Sequence, residues 1–315
     1  LLAIPALGVF ADQLPTTFKK RTPVRGAVFA SLSLVAVSAL AAVTHQLRYD
    51  EPRSGTLLYV GDGDEDRENI NHVLRWAIFH VLPIVGAGLL FLMALFLARP
   101  EKDEQGETIR PSISGAFLFA FFGYGMVLVG MHGAAIEPIV DLALIGTVFN
   151  EAVLVYVVYG AVLGLLGGLA HWAPKLWGVE LDLKKTAPLA LLGVGGVVLA
   201  SFPHFIAGFL DQPGGLAYDD GDLQIWNVLV LIGHAMFLLA ALAFAGLLAA
   251  AVLGRDESGV PDDPSDGHTN EWPTTTPAPT DNFVDVPTIT SAEPMLDLRA
   301  ASGSNEATSA QGGAS

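Results

Sequence analysis

The chain reads as long apolar runs broken by short polar stretches. In the longest, from Leu142 to Ala170, the only polar interruptions are Thr147, Asn150, Glu151 and two tyrosines, Tyr156 and Tyr159. At about 1.5 Å of rise per residue, this run is more than enough helix to cross a hydrocarbon core of ~30 Å. Gly160, Gly164 and Gly168 recur at every fourth position. They mark one helix face where a second backbone can approach closely. His171-Trp172-Ala173-Pro174 follows, an aromatic pair suited to the membrane interface and a proline expected to stop the helix.

Taken in order, the pattern predicts six complete spans, at about 26–47, 70–98, 112–132, 142–172, 186–210 and 224–253. Pro83 falls inside the second and should kink it. Residues 1–14 are apolar but too short to span, so they read as the end of a seventh helix, and the chain reads as a C-terminal fragment. After Gly254 the sequence becomes acidic and rich in Ser, Thr, Pro and Gly. Such a composition cannot bury a core, so residues 255–315 are expected to be a disordered tail. The predicted architecture is all-α: an integral membrane helix bundle over 1–254, followed by that tail.

Composition agrees with the pattern. Of 315 residues, 52% are hydrophobic and 15% charged, which makes the lipid bilayer the first partner. The absence of cysteine excludes disulfides and thiolate metal sites. The net charge of −16 argues against nucleic acid as a partner. Basic residues alternate by loop. Lys19, Lys20, Arg21 and Arg25, then Arg99, Lys102 and Arg110, then Lys175, Lys184 and Lys185, then Arg255 fall on one side. The opposite loops hold Arg48, Arg53 and Arg67 beside the acidic runs Asp62 to Glu68 and Asp219 to Asp222. By the positive-inside rule the Lys19 side, with the tail, faces the cytoplasm of a multi-pass plasma-membrane protein.

Few ionisable groups lie within the spans. Glu151, beside Asn150, is a proton-relay or cation-site candidate, because an intramembrane carboxylate is costly to keep. Its alternative reading is a hydrogen-bonded Glu that holds a neighbouring helix. His80 lies about a turn before Pro83, where an imidazole can bond a carbonyl freed by the kink. His204 and His234 read as packing histidines. His171 and Trp172 read as anchors at the inner interface.

Four stretches, in order over about 1–254, resemble the C-terminal half of subunit I of the haem-copper (cytochrome c) oxidases. Leu1 to Gly8, LLAIPALG, resembles the end of that family's sixth helix. Gly26 to Leu47, ending AAVTHQL, resembles the seventh, and Gly167-Gly168-Leu169-Ala170-His171-Trp172-Ala173-Pro174 the end of the tenth. Phe202-Pro203-His204-Phe205, Pro213, Tyr218 and Trp226-Asn227 resemble the eleventh helix, its loop and the start of the twelfth. The resemblance implies a twelve-helix bundle containing haem and copper, other oxidase subunits and cytochrome c as partners, and oxygen reduction coupled to proton translocation in aerobic respiration.

The departures from the family are chemical. The positions that the resemblance assigns to two haem-ligating histidines hold Ala152 and Leu154, and of two adjacent copper histidines only His45 remains, followed by Gln46. Gly214-Gly215 stand where arginines would hold haem propionates, and Ile84 to Leu92 lacks the family's proton-channel lysine. A haem requires an axial imidazole or a comparable ligand, and this kind of copper requires several imidazoles. Two functions stay open: an oxidase subunit with a shifted alignment, or a redox-silent paralogue acting as structural subunit or ion-conducting protein.

Overall fold

The computed structural model describes residues 2–46, 73–102, 106–139, 142–215, 221, 223–255, 259–281, 283 and 288–301; in the first stretch side chains are described through residue 37. Among the described residues the bundle is built of seven helices: α1 (Ala3–Phe18), α2 (Arg25–Gln46), α3 (Val73–Leu97), α4 (Gly115–Ile136), α5 (Phe149–Trp177), α6 (Leu183–Phe209) and α7 (Gln224–Leu253). Each of α3 to α7 is long and apolar enough to cross a membrane. Among the described residues there is no β-strand, only isolated bridges between Lys102 and Thr108 and between Thr147 and Pro213. The protein is an all-α membrane bundle. The expected loop at 48–69 lies outside the described residues.

The helix ends differ from the sequence-based expectation for local reasons. The central helix begins at Phe149 rather than 142, because Ala143 and Gly146 take left-handed backbone angles (φ 51° and 85°). Residues 144–148 instead fold against the 211–214 turn, where Gln212 accepts from Val148 N–H at 3.0 Å. At the other end Pro174 does not stop α5, which runs on to Trp177. Gly178, at φ 66°, closes it with its N–H on the Pro174 carbonyl. The termination is a left-handed glycine cap, not the proline. Ser114 caps α4 by accepting from Phe117 N–H, and Asp182 caps α6 by accepting from Lys184 N–H. Pro83 acts through the turn before it: residues 77–81 of α3 wind as π-helix, a local unwinding that accommodates its missing donor.

Packing follows the small residues. Gly123 of α4 lies directly against the Gly160 and Gly164 backbone of α5, and a Cβ built on Gly164 would stand 2.7 Å from the Cβ of Ala6 in α1. The glycine face of the central helix thus holds two neighbours at backbone contact. Around this seam, Phe10 of α1 stacks on Tyr124 of α4 at 4.4 Å, and the Tyr124 hydroxyl donates to the Ala87 carbonyl of α3. Large apolar side chains such as Leu231, Leu242 and Leu92 point outward and are mostly exposed, as a lipid-facing surface requires.

Composition left residues 255–315 without structure, but much of this stretch packs on the basic end of the bundle. Trp272 is only 1% exposed. The Lys175 ammonium donates to the carbonyls of Trp272 and Thr274 and to the Thr276 hydroxyl, and Ala278 N–H donates to the Lys175 carbonyl. Glu293 accepts from both N–H and hydroxyl of Thr22, Arg21 pairs with Asp297, and Arg299 pairs with Asp263. The physical reason is complementarity: a basic helix end satisfies the acidic groups and carbonyls of a segment that has one large aromatic to bury. Residues 302–315 lie outside the described region.

Candidate functional site

At the end of the bundle opposite Lys19, α5, α6 and α7 bring polar side chains together. Glu151 lies in the first turn of α5, where the free N–H groups and dipole of a helix favour a carboxylate. Its Oε1 accepts from Gly215 N–H at 2.8 Å, and its Oε2 lies 4.0 Å from Nδ1 of His204 on α6. Asn227, in the first turn of α7, exchanges two hydrogen bonds with the amide of Gln212, at 2.9 and 3.4 Å. Gln212 and His204 are buried, and the Glu151 side chain is 45% exposed. The carboxylate therefore faces water on one side and a buried imidazole on the other.

Asn150 turns away from this group and donates to both carboxylate oxygens of Glu137, at 2.9 and 3.0 Å. Burial pushes the Glu137 carboxyl up, and the Asn150 amide pulls it back. Deeper in the bundle, the Tyr159 hydroxyl of α5 and Nδ1 of His234 on α7 lie 2.8 Å apart. Going inward from the exposed carboxylate, the order is Glu151, His204, then the His234–Tyr159 pair.

The other residues singled out in the sequence fall elsewhere. His80 lies in the π-helical turn of α3, which packs on α2 and α4, away from this cluster. His45, the copper candidate, lies outside the residues whose side chains are described. Ala152 is fully buried and Leu154 is 60% exposed, facing outward. One offers a methyl group and the other an isobutyl group, and neither has a lone pair for iron. Among the described residues no three His, Cys, Asp or Glu side chains group as metal ligands. His171, expected at the interface, is instead 5% exposed beneath Trp272, and Trp172 donates to Glu271 at 3.2 Å.

Sequence reasoning found Glu151 but not its partners. Gln212 and Asn227 sit in the turn after α6 and the first turn of α7, and His204 reads alone as a packing residue. Their meeting depends on the 211–215 turn folding back onto the start of α5.

No family model matches the chain. It is similar, at 23% identity over 306 residues, to a protein named probable cytochrome c oxidase subunit 1 of Bradyrhizobium diazoefficiens, covering 95% of this chain and 42% of that protein. It is 24% identical over 304 residues, with the same shares covered, to cytochrome bo(3) ubiquinol oxidase subunit 1 of Buchnera aphidicola. Against cytochrome c oxidase subunit 1 of Alkalihalophilus pseudofirmus it is 30% identical over 187 residues, 58% of this chain and 30% of that one. The chain spans about two fifths of the length of the first relatives it matches. The chain is a multi-pass membrane protein whose sequence is similar to, and divergent from, subunit I of cytochrome c and ubiquinol oxidases.

Proposed function

We propose that this subunit I-like chain forms part of the membrane core of an aerobic respiratory oxidase, an assembly that reduces oxygen and moves protons. The observation that carries the reading is similarity to oxidase subunits I along 95% of the chain. Its partners are lipid and other oxidase subunits, and the electron donor is cytochrome c or ubiquinol, the two donors in the relatives' names. The basic end, with residues 259–301 upon it, faces the cytoplasm, because positive residues are retained there.

The chain's own contribution is the helical scaffold and the Glu151–His204 relay. Glu151 exchanges protons with water at the opposite face, and His204 holds the proton one step further in. Haem and copper supply redox chemistry in the family. In this reading α5 is not where haem is held, since Ala152 and Leu154 cannot ligate it.

Affinity purification of the tagged protein from native membranes, with mass spectrometry and oxygen-uptake assays, tests this. The expected result is co-purification with at least one other oxidase subunit and loss of part of the cyanide-sensitive respiration on deletion. A protein that purifies without oxidase subunits and whose deletion leaves respiration unchanged would overturn the reading.

A further inference from the structure

The basic end of the bundle holds a second polar group, distant from Glu151. Asp12 of α1 meets His171 of α5, and Gln13 beside it reaches α5 one turn earlier. Oδ2 of Asp12 stands 3.8 Å from Nε2 of His171, and the Gln13 amide donates to the Gly167 carbonyl, one turn before His171, at 3.3 Å. His171 is 5% exposed and Gln13 1%, and both Nε2 of His171 and Oε1 of Gln13 lack a hydrogen-bond partner. Two buried polar atoms without partners, beside a carboxylate, are a costly arrangement for a purely structural contact. They are what a proton-holding site needs, since a protonated imidazole finds the Asp12 carboxylate next to it.

The site is covered. The Trp272 ring lies edge-on to His171 at 5.1 Å between centroids. Lys175, one turn beyond His171, fastens the cover through the carbonyls of Trp272 and Thr274, and Glu271 receives the Trp172 indole N–H. The charged groups around the site are Asp12 on α1, Lys175 on α5, and Asp262, Asp263 and Glu271 on the covering segment.

We propose that Asp12, Gln13 and His171 form a buried proton-exchange site at the basic end of the bundle, and that residues 259–281 are the cap that controls its access to water. The ligand is an exchangeable proton. With the cap docked, the imidazole and carboxylate are screened from the aqueous phase. With the cap released, they open onto the basic face, and Lys175 is left free to attract anionic groups there. This site does not depend on the function proposed above: the same group serves any membrane protein that takes up protons on this side.

Hydrogen–deuterium exchange at the histidine C2 position, read by mass spectrometry on the full chain in nanodiscs, follows each histidine separately. His132, exposed on α4, serves as the fold control. His171 is expected to exchange far more slowly than His132, and Trp272→Ala to speed it about tenfold or more, as opening of a local cover does. Asp12→Asn is expected to weaken the hold of His171 on a proton by about tenfold, as loss of an adjacent carboxylate does. Gln13→Leu, which leaves both titrating groups in place, should act in the same sense. A His171 that exchanges as fast as His132 with Trp272 intact would overturn the cap. An unmoved His171 titration in both Asp12→Asn and Gln13→Leu, with His132 unchanged, would overturn the site.

Discussion

Nδ1 of His204 stands 4.0 Å from Oε2 of Glu151, across the contact between α6 and α5. The distance is too long for a settled hydrogen bond. Replacing Glu151 by Gln keeps an acceptor for Gly215 N–H but removes the charge. In vesicles containing the respiratory assembly, Glu151→Gln should lower the protons moved per oxygen consumed, while Glu151→Asp retains most of them. Equal ratios for wild type and Glu151→Gln would reduce Glu151 to a structural role.

The central glycine face gives a stability prediction. Gly164 touches α1 and α4 at once, so Gly164→Val adds methyl groups where Ala6 and Gly123 leave no space. Overpacking of this kind costs about 1–3 kcal/mol. Thermal unfolding in detergent should show a clearly lower midpoint for Gly164→Val. Gly125→Val, at a glycine with open space around it, should change little.

Because the chain has no cysteine, single thiols report topology without background. Gly221→Cys lies exposed near the start of α7, and Glu180→Cys lies exposed after α5. A membrane-impermeant thiol reagent added to intact cells should label the first and spare the second. The reverse pattern would invert the orientation drawn from the basic loops.

The docked segment 259–301 should loosen in acid. Burial holds the His268 imidazole below its ordinary value of 6.5, with Glu293 and Asp263 opposing and Arg299 and Arg21 adding to the effect. A group lowered on docking takes up protons more readily when undocked, so docking is at full strength above pH 6.5 and weakens as the pH falls below it. Hydrogen bonds from Ser291, Arg21 and Thr290 hold Asp297 down to about 2, so its contribution is present above 3.8 and is lost as the pH falls towards 2. Fluorine NMR of fluorotryptophan at position 272 should show one buried signal at pH 7.5 and a growing exposed signal by pH 5.5. His268→Phe should flatten that first transition.

What was legible in the sequence follows from which forces are local. Apolar runs long enough for a bilayer mark their helices without tertiary information, and α3 to α7 lie where they were expected. The recurrence of Gly160 and Gly164 marks a contact face for the same reason. The start of α5 was misread because hydrophobicity alone cannot distinguish a helix from an apolar turn held by Ala143 and Gly146. The docking of Trp272 was hidden for a different reason. A single aromatic in a polar segment counts for little in composition, and its burial depends on Lys175 and His171 more than ninety residues away. The Glu151 cluster was half visible: a carboxylate within a long apolar run stands out, whereas His204, Gln212 and Asn227 acquire meaning only once α6 and α7 stand beside it.

Ala152 and Leu154 provide no ligand for iron, and Glu151 is engaged with Gly215 and faces His204. The most direct measurement is a reduced-minus-oxidised optical spectrum with metal analysis, made on the complete protein in its native assembly, for wild type and for Glu151→Gln, Ala152→Val and Leu154→Ala. The account predicts haem spectra that are identical across the four proteins, because none of Glu151, Ala152 and Leu154 holds iron. A stoichiometric six-coordinate haem signal that disappears on changing any one of these α5 residues would contradict it.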